Sequence, residues 1–269
     1  MVRKLFKHEC IAYGRVMLPV YAIITAFAIL GRVIQIFEAD TTAYQIVNGF
    51  AIAGFVIGCL FMLGFGLVFG VVRFYRNLFT GEGYLSFTLP VTPSQHLLVK
   101  VCTAVLFQTL SVLVILLSVS IYTAGDVAVE IGNAIGYVYA QAFDVTGVHL
   151  PLFVVEILLL MIATSFVEYG TYYLCIAIGQ LANKNRVIAA VGVYFAFSVV
   201  GQVLGTIFSI VFAATEQYIP WDTFGQWVIE NTYTFVHSVL CGMTVLTLAI
   251  AALYLGITRF IIRRKLNLE

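Results

Sequence analysis

Residues 46–76 read IVNGFAIAGFVIGCLFMLGFGLVFGVVRFYR. From Ile46 to Val72 there is no charged side chain, and then Arg73 and Arg76 arrive within one helical turn. About 20 apolar residues are enough for a helix to cross a bilayer, and a basic flank marks the end that stays inside the cell. Working outward, runs of the same kind cover about 16–37, 97–123, 150–178, 188–213 and 237–258, with 46–72 as the second of six. The expectation is an all-α, polytopic membrane protein with a single transmembrane domain over 1–269.

Charge segregates along this path. All but Arg32 of the 14 Lys and Arg residues fall in the termini and alternate loops: Arg3, Lys4, Lys7 and Arg15; Arg73, Arg76 and Lys100; Lys184 and Arg186; Arg259, Arg263, Arg264 and Lys265. The remaining loops carry Glu38 and Asp40, then Asp126, Glu130 and Asp144, then Glu216, Asp222 and Glu230. Lys and Arg in short loops stay cytoplasmic, so both termini are expected inside. The net charge of +1 hides this segregation. No basic block with interleaved aromatics appears, so no nucleic-acid partner is expected.

Composition agrees, with 62% hydrophobic and 10% charged residues and a mean hydropathy of +1.03. Cys10, Cys59, Cys102, Cys175 and Cys241 stand far apart and form no Cys-x-x-Cys pair, so they read as small apolar residues. The first apolar run is too long for the h-region of a cleavable signal.

Residues 2–16 place Val2, Leu5, Phe6, Ala12, Tyr13 and Val16 on one helical face, with Arg3, Lys4, Lys7, His8 and Arg15 largely on the other, and the helix is expected over 1–15. That spacing predicts an amphipathic helix in the cytoplasmic interface, against membrane lipid. Gly54-x-x-x-Gly58, Gly64, Gly66, Gly70 and Gly201-x-x-x-Gly205 let helices approach closely, within the bundle or across a subunit interface. Val127, Ile131, Ile135 and Val138 recur at helical spacing in an outer loop, and Trp221 and Trp227 fit an outer aromatic belt.

The connection 73–96 is too long for a tight helical hairpin. Arg73–Phe79 extends the second span, and Thr80, Gly81, Glu82 and Gly83 break it. Tyr84 to Leu89 then gives a short helix exposing Tyr84, Leu85, Phe87 and Leu89, which Pro90 stops. Thr92-Pro93 and Ser-Gln-His cap the third span. An exposed apolar, aromatic helix calls for a covering surface, either a partner or the membrane.

With a basic amphipathic amino-terminal helix, six spans, and a loop reading GEGYLSFTLPVTPSQHLLVK, the chain resembles the membrane subunits of ATP-binding-cassette transporters. Within them it looks like the type-2 exporter permeases common in Gram-positive bacteria. The resemblance implies that the 73–96 loop holds the coupling helix, with Thr80, Gly81, Glu82, Gly83, Tyr84, Leu85, Phe87 and Leu89 docking on a separate ATPase subunit. It implies a second permease, identical or paralogous, and ATP and Mg bound by the partner rather than by this chain. Its expected function is ATP-driven alternating access that exports a drug, antimicrobial peptide or lipid-like amphiphile across the bacterial plasma membrane. The rival classes are a non-transporting scaffold or regulatory subunit and an ion-driven secondary transporter.

No catalytic signature intervenes. There is no Gly-Lys dipeptide for a P-loop, Ala12 replaces the second His of a zincin pattern begun at His8-Glu9, and no Gly-x-Ser-x-Gly occurs. His8, His96, His149 and His237 sit at span boundaries and read as interfacial residues, not metal ligands. Two carboxylates lie inside the fourth span. Glu156 is at the depth of Arg32, so a structural Arg32–Glu156 pair is expected. Glu168 is deeper, beside Tyr169, Tyr172 and Tyr173. With Tyr169 and Tyr172 it is the candidate translocation path, the alternative being a protonated or tyrosine-bonded structural carboxyl.

Overall fold

The structure, a computed structural model, describes residues 2–37, 41–80, 91–126, 150–182, 184–215 and 220–265, with residue 218 and positions 129, 130, 132–134, 136, 137 and 140. Among the described residues there is no strand. The helices are α1 (Val2–Ile36), α2 (Thr42–Phe79), α3 (Pro93–Tyr122), α4 (Leu150–Gly179), α5 (Arg186–Thr215), α6 (Trp221–Glu230) and α7 (Thr232–Lys265). All except α6 are long and apolar enough to cross a membrane, which gives the six expected from the apolar runs. Val127, Ile131, Ile135 and Val138 lie outside the described residues.

Helix ends follow local chemistry. Thr41 caps α2 by accepting the Tyr44 amide at 3.3 Å, and Thr80 turns its hydroxyl back to the Arg76 carbonyl at the other end. The Gln95 side chain accepts the Thr92 amide at 3.1 Å, and Pro93 opens α3 where no backbone donor is needed. Helix α1 is unbroken from Val2 to Ile36, so residues 2–15 and the first apolar run share one helix that tolerates Pro19.

The chain forms two compact units, Met1–Gly136 and Tyr137–Glu269. In the first, α1, α2 and α3 all pack on one another. Glu9 meets Lys100, 91 residues on, and Gly31 meets Tyr122 at the same offset, so α1 and α3 run parallel in constant register. Arg73 reaches Glu9 while Gly58 faces Ile24, so α2 runs antiparallel to α1. Where lipid surrounds helices, packing and polar contacts hold them together more than hydrophobic burial does. Here Tyr122 lies on Gly31 and stacks on Phe55 with ring centroids 4.9 Å apart. The Tyr21 hydroxyl reaches the Phe107 carbonyl and Ser111, each at 2.9 Å. Gly58 and Gly66 face α1 or α3 side chains, whereas a Cβ on Gly54 or Gly64 would meet no described neighbour within 4 Å.

In the second unit α4 packs along α7 and also against α5. Glu156 meets His237, and Gly170 meets Ala251 and Tyr254, so α4 and α7 are parallel. Tyr172 stacks on Tyr194, and Gly179 lies on Ala190, so α5 returns antiparallel to α4. A Cβ on Gly179 would stand 2.6 Å from Ala190, which only glycine avoids. Asn185 makes the turn into α5 at φ +53°, a left-handed conformation that asparagine tolerates, and its carbonyl accepts the Ala189 amide. No residue of α5 is buried. Helix α6 carries an aromatic chain from Phe212 of α5 through Trp221 and Phe224 to Phe235 of α7.

Candidate functional site

The first unit holds a buried ionic clamp. One residue comes from each helix: Glu9 from the first turns of α1, Arg73 from the last turns of α2, and Lys100 from the first turns of α3. Arg73 Nε donates to Glu9 Oε2 and Lys100 Nζ donates to Glu9 Oε1, both at 2.8 Å. Glu9 is 7% exposed and Lys100 5% exposed. Taking a carboxylate out of water is costly, and two cations with direct hydrogen bonds offset that cost where one would struggle to. The Arg73 guanidinium also stands 6.0 Å from the Tyr13 ring, which stacks on Phe107 and meets Phe69 edge-on. Beside the clamp, a cleft of about 180 Å³ is lined by Phe69, Val72, Arg73, Arg76 and Asn77 of α2.

The clamp therefore ties together the helix ends that flank the α2–α3 connection. Thr80, the first residue expected to dock, caps α2 there. Gly81, Glu82, Gly83, Tyr84, Leu85, Phe87 and Leu89 lie outside the described residues.

The second unit holds two carboxylates with different surroundings. Glu156 Oε2 lies 2.6 Å from His237 Nδ1. Within the second unit the group that meets Glu156 is His237, and within the first Arg32 donates to Gln35 of its own helix at 3.3 Å. Glu168 is half-buried, and among the described residues no hydrogen bond or ion pair reaches its carboxylate. Tyr169 and Tyr173 are each 1% exposed, packed inside the unit, while Tyr172 is half-buried on Tyr194 with centroids 5.4 Å apart. Of the candidate path residues, Glu168 and Tyr172 are accessible in part and Tyr169 is not.

Sequence reasoning missed Glu9 and His237 as partners. Glu9 is the lone acid among Arg3, Lys4, Lys7 and Arg15, a signal that it neutralises a cation from elsewhere. His237 and Glu156 stand at similar depth in the fourth and sixth spans, which run the same way, and that coincidence was readable. Among the described residues no group of three or more His, Cys, Asp or Glu is placed to hold a metal ion. No family model, curated protein or solved structure matches the chain.

Proposed function

We propose that this chain is the membrane-spanning permease subunit of an ATP-binding-cassette exporter in a bacterial plasma membrane. In this reading both termini are cytoplasmic and hydrolysis belongs to a separate nucleotide-binding subunit. The observation that carries the reading is the Glu9–Arg73–Lys100 clamp, which fixes three helix ends at the base of the α2–α3 connection. A push on that connection then reaches α1, α2 and α3 as one body, because moving one end alone would break a buried ion pair. Helix α5 buries no residue, and a Cβ on Gly201 or Gly205 would meet no described neighbour within 4 Å, which supports a second permease there. Half-buried Glu168 supports a cationic amphiphile as cargo.

Purification with a tag on this chain tests the reading. It should bring down an ATPase bearing Walker A and signature motifs, and Leu85→Glu or Phe87→Glu should release that ATPase from a folded permease. Variants that keep the ATPase and export normally would move the docking site elsewhere. An ion-driven transporter draws on the Glu156–His237 pair instead, and uptake into vesicles under an imposed pH gradient without ATP would favour it.

A further inference from the structure

The cleft beside the clamp straddles the end of an apolar run. Its walls are Phe69, Val72, Arg73, Arg76 and Asn77, all on α2. Val72 closes the uncharged stretch that began at Ile46, and Arg73 is the first charge after it. Residues 69, 72, 73 and 76 share one helical face, since side chains three and four apart are neighbours. Along that face the chemistry changes in one direction: a ring and a branched alkyl group on the span side, then two guanidiniums and an amide beyond it. Seven residues separate Phe69 from Arg76, a rise of about 10 Å. Val72 and Arg76 are exposed, and Phe69 and Asn77 are half-buried.

A molecule that matches this order has hydrocarbon at one end and an anion at the other. Charge selects the anion. Residues 1–15 and 73–100 carry seven Lys and Arg against two acids, Glu9 and Glu82. At the cleft wall Glu9 holds Arg73 by Nε, which fixes the guanidinium in place, and the clamp brings two cations to one acid. An arginine has five N–H donors, so a phosphate joins the contacts that Arg73 and Arg76 already make. Volume selects the size. A cleft of about 180 Å³ is smaller than drug-sized sites, which run about 300–1,000 Å³, so it takes a headgroup and the start of its chain.

We propose that this cleft binds one anionic phospholipid, its phosphate on Arg73 and Arg76 with Asn77 beside it, and its acyl chain along Val72 and Phe69. Basic recesses on membrane helices hold anionic headgroups in this way. The apolar wall belongs to a run long enough to cross a bilayer, so its natural cover is an acyl chain of the adjoining leaflet. The site requires only that α2 crosses a membrane, and it stands or falls apart from the exporter reading.

The full chain in neutral detergent, at fixed salt, is titrated with phosphatidylglycerol or with phosphatidylcholine of the same acyl chains. Native mass spectrometry counts the bound lipid. A single phosphatidylglycerol should bind at concentrations where phosphatidylcholine does not. Arg76→Gln should weaken it about fivefold, the worth of one cation near a lipid surface. Val72→Phe, which fills the cleft and removes no charge, should weaken it as well. Lys184→Gln takes the same charge from an exposed position in the other unit and should leave binding unchanged. Equal binding of the two lipids overturns the proposal, and is the result expected were the α2–α3 connection to fill the cleft instead. Equal losses from Arg76→Gln and Lys184→Gln, or undiminished binding by Val72→Phe, overturn it as well, since they mark diffuse attraction to a basic surface. Displacement by inorganic phosphate would do the same, by showing an anion site with no use for the chain. Should Arg76→Gln fail to fold, the contrast between Val72→Phe and Lys184→Gln decides.

Discussion

Glu9 and Lys100 lie 91 residues apart in the chain and 2.8 Å apart in the fold, both buried. Arg73, 64 residues from Glu9, meets the second carboxylate oxygen at the same distance. A single acid thus holds two cations brought by two helices, one on each carboxylate oxygen.

Replacing that acid removes the carboxylate that both cations share. Glu9→Gln should cost about 3–5 kcal/mol, the range seen when one member of a buried ion pair is removed. Lys100→Met in the same background should cost less than it does alone, because the partner it would abandon is already gone. Chemical or thermal unfolding of the four proteins in micelles measures the coupling; additive effects would show the contacts to be independent.

Two glycines should respond with opposite sign. A Cβ on Gly31 would stand 2.0 Å from the Tyr122 ring, itself held against Phe55, so Gly31→Ala should destabilise by about 1–3 kcal/mol. A Cβ on Gly54 would meet no described neighbour within 4 Å, and Gly54→Ala should stabilise the helix by about 0.5–1 kcal/mol. Unfolding midpoints of the two variants, measured side by side, check the contrast.

Sidedness follows from the basic clusters. In a background without the native cysteines, a membrane-impermeant maleimide added to cells should label Asp126→Cys and Asp222→Cys but spare Arg76→Cys and Lys184→Cys. Outside labelling at position 184 would reverse the topology.

Glu168 separates a path residue from a structural one. With no described group bonded to its carboxylate, Glu168→Leu strands nothing and should be neutral or stabilising. If the proposed exporter reading holds, Glu168→Gln should leave assembly intact and alter which cationic substrates stimulate hydrolysis by the proposed ATPase subunit. Substrate-stimulated hydrolysis in lipid reads this out, and an unchanged profile would assign Glu168 a passive place.

The six long helices were legible because each apolar run alone exceeds what one crossing needs, and the third even announced its start through Thr92, Pro93 and Gln95. The pairings were less so. Arg73 and Lys100 announced themselves as markers of sidedness, and only the register of three packed helices reveals that both face Glu9. Gly58 and Gly54 belong to one motif, yet among the described residues only a Cβ on Gly58 would meet a neighbouring helix, since the motif fixes spacing and leaves the partner's location open. For Glu156 the charge pattern points to Arg32 at equal depth, and within its own unit the group that meets it is the His237 imidazole.

The two tryptophans of the chain, Trp221 and Trp227, both sit on the ten-residue helix α6. Trp221 touches Phe212 of α5 and Trp227 touches Phe235 of α7. Light absorbed at the red edge of the indole band is therefore emitted from one short helix wedged between two helix ends. Any motion that parts α5 from α7 at this level changes the surroundings of both emitters, so the unlabelled protein carries its own optical gauge for it.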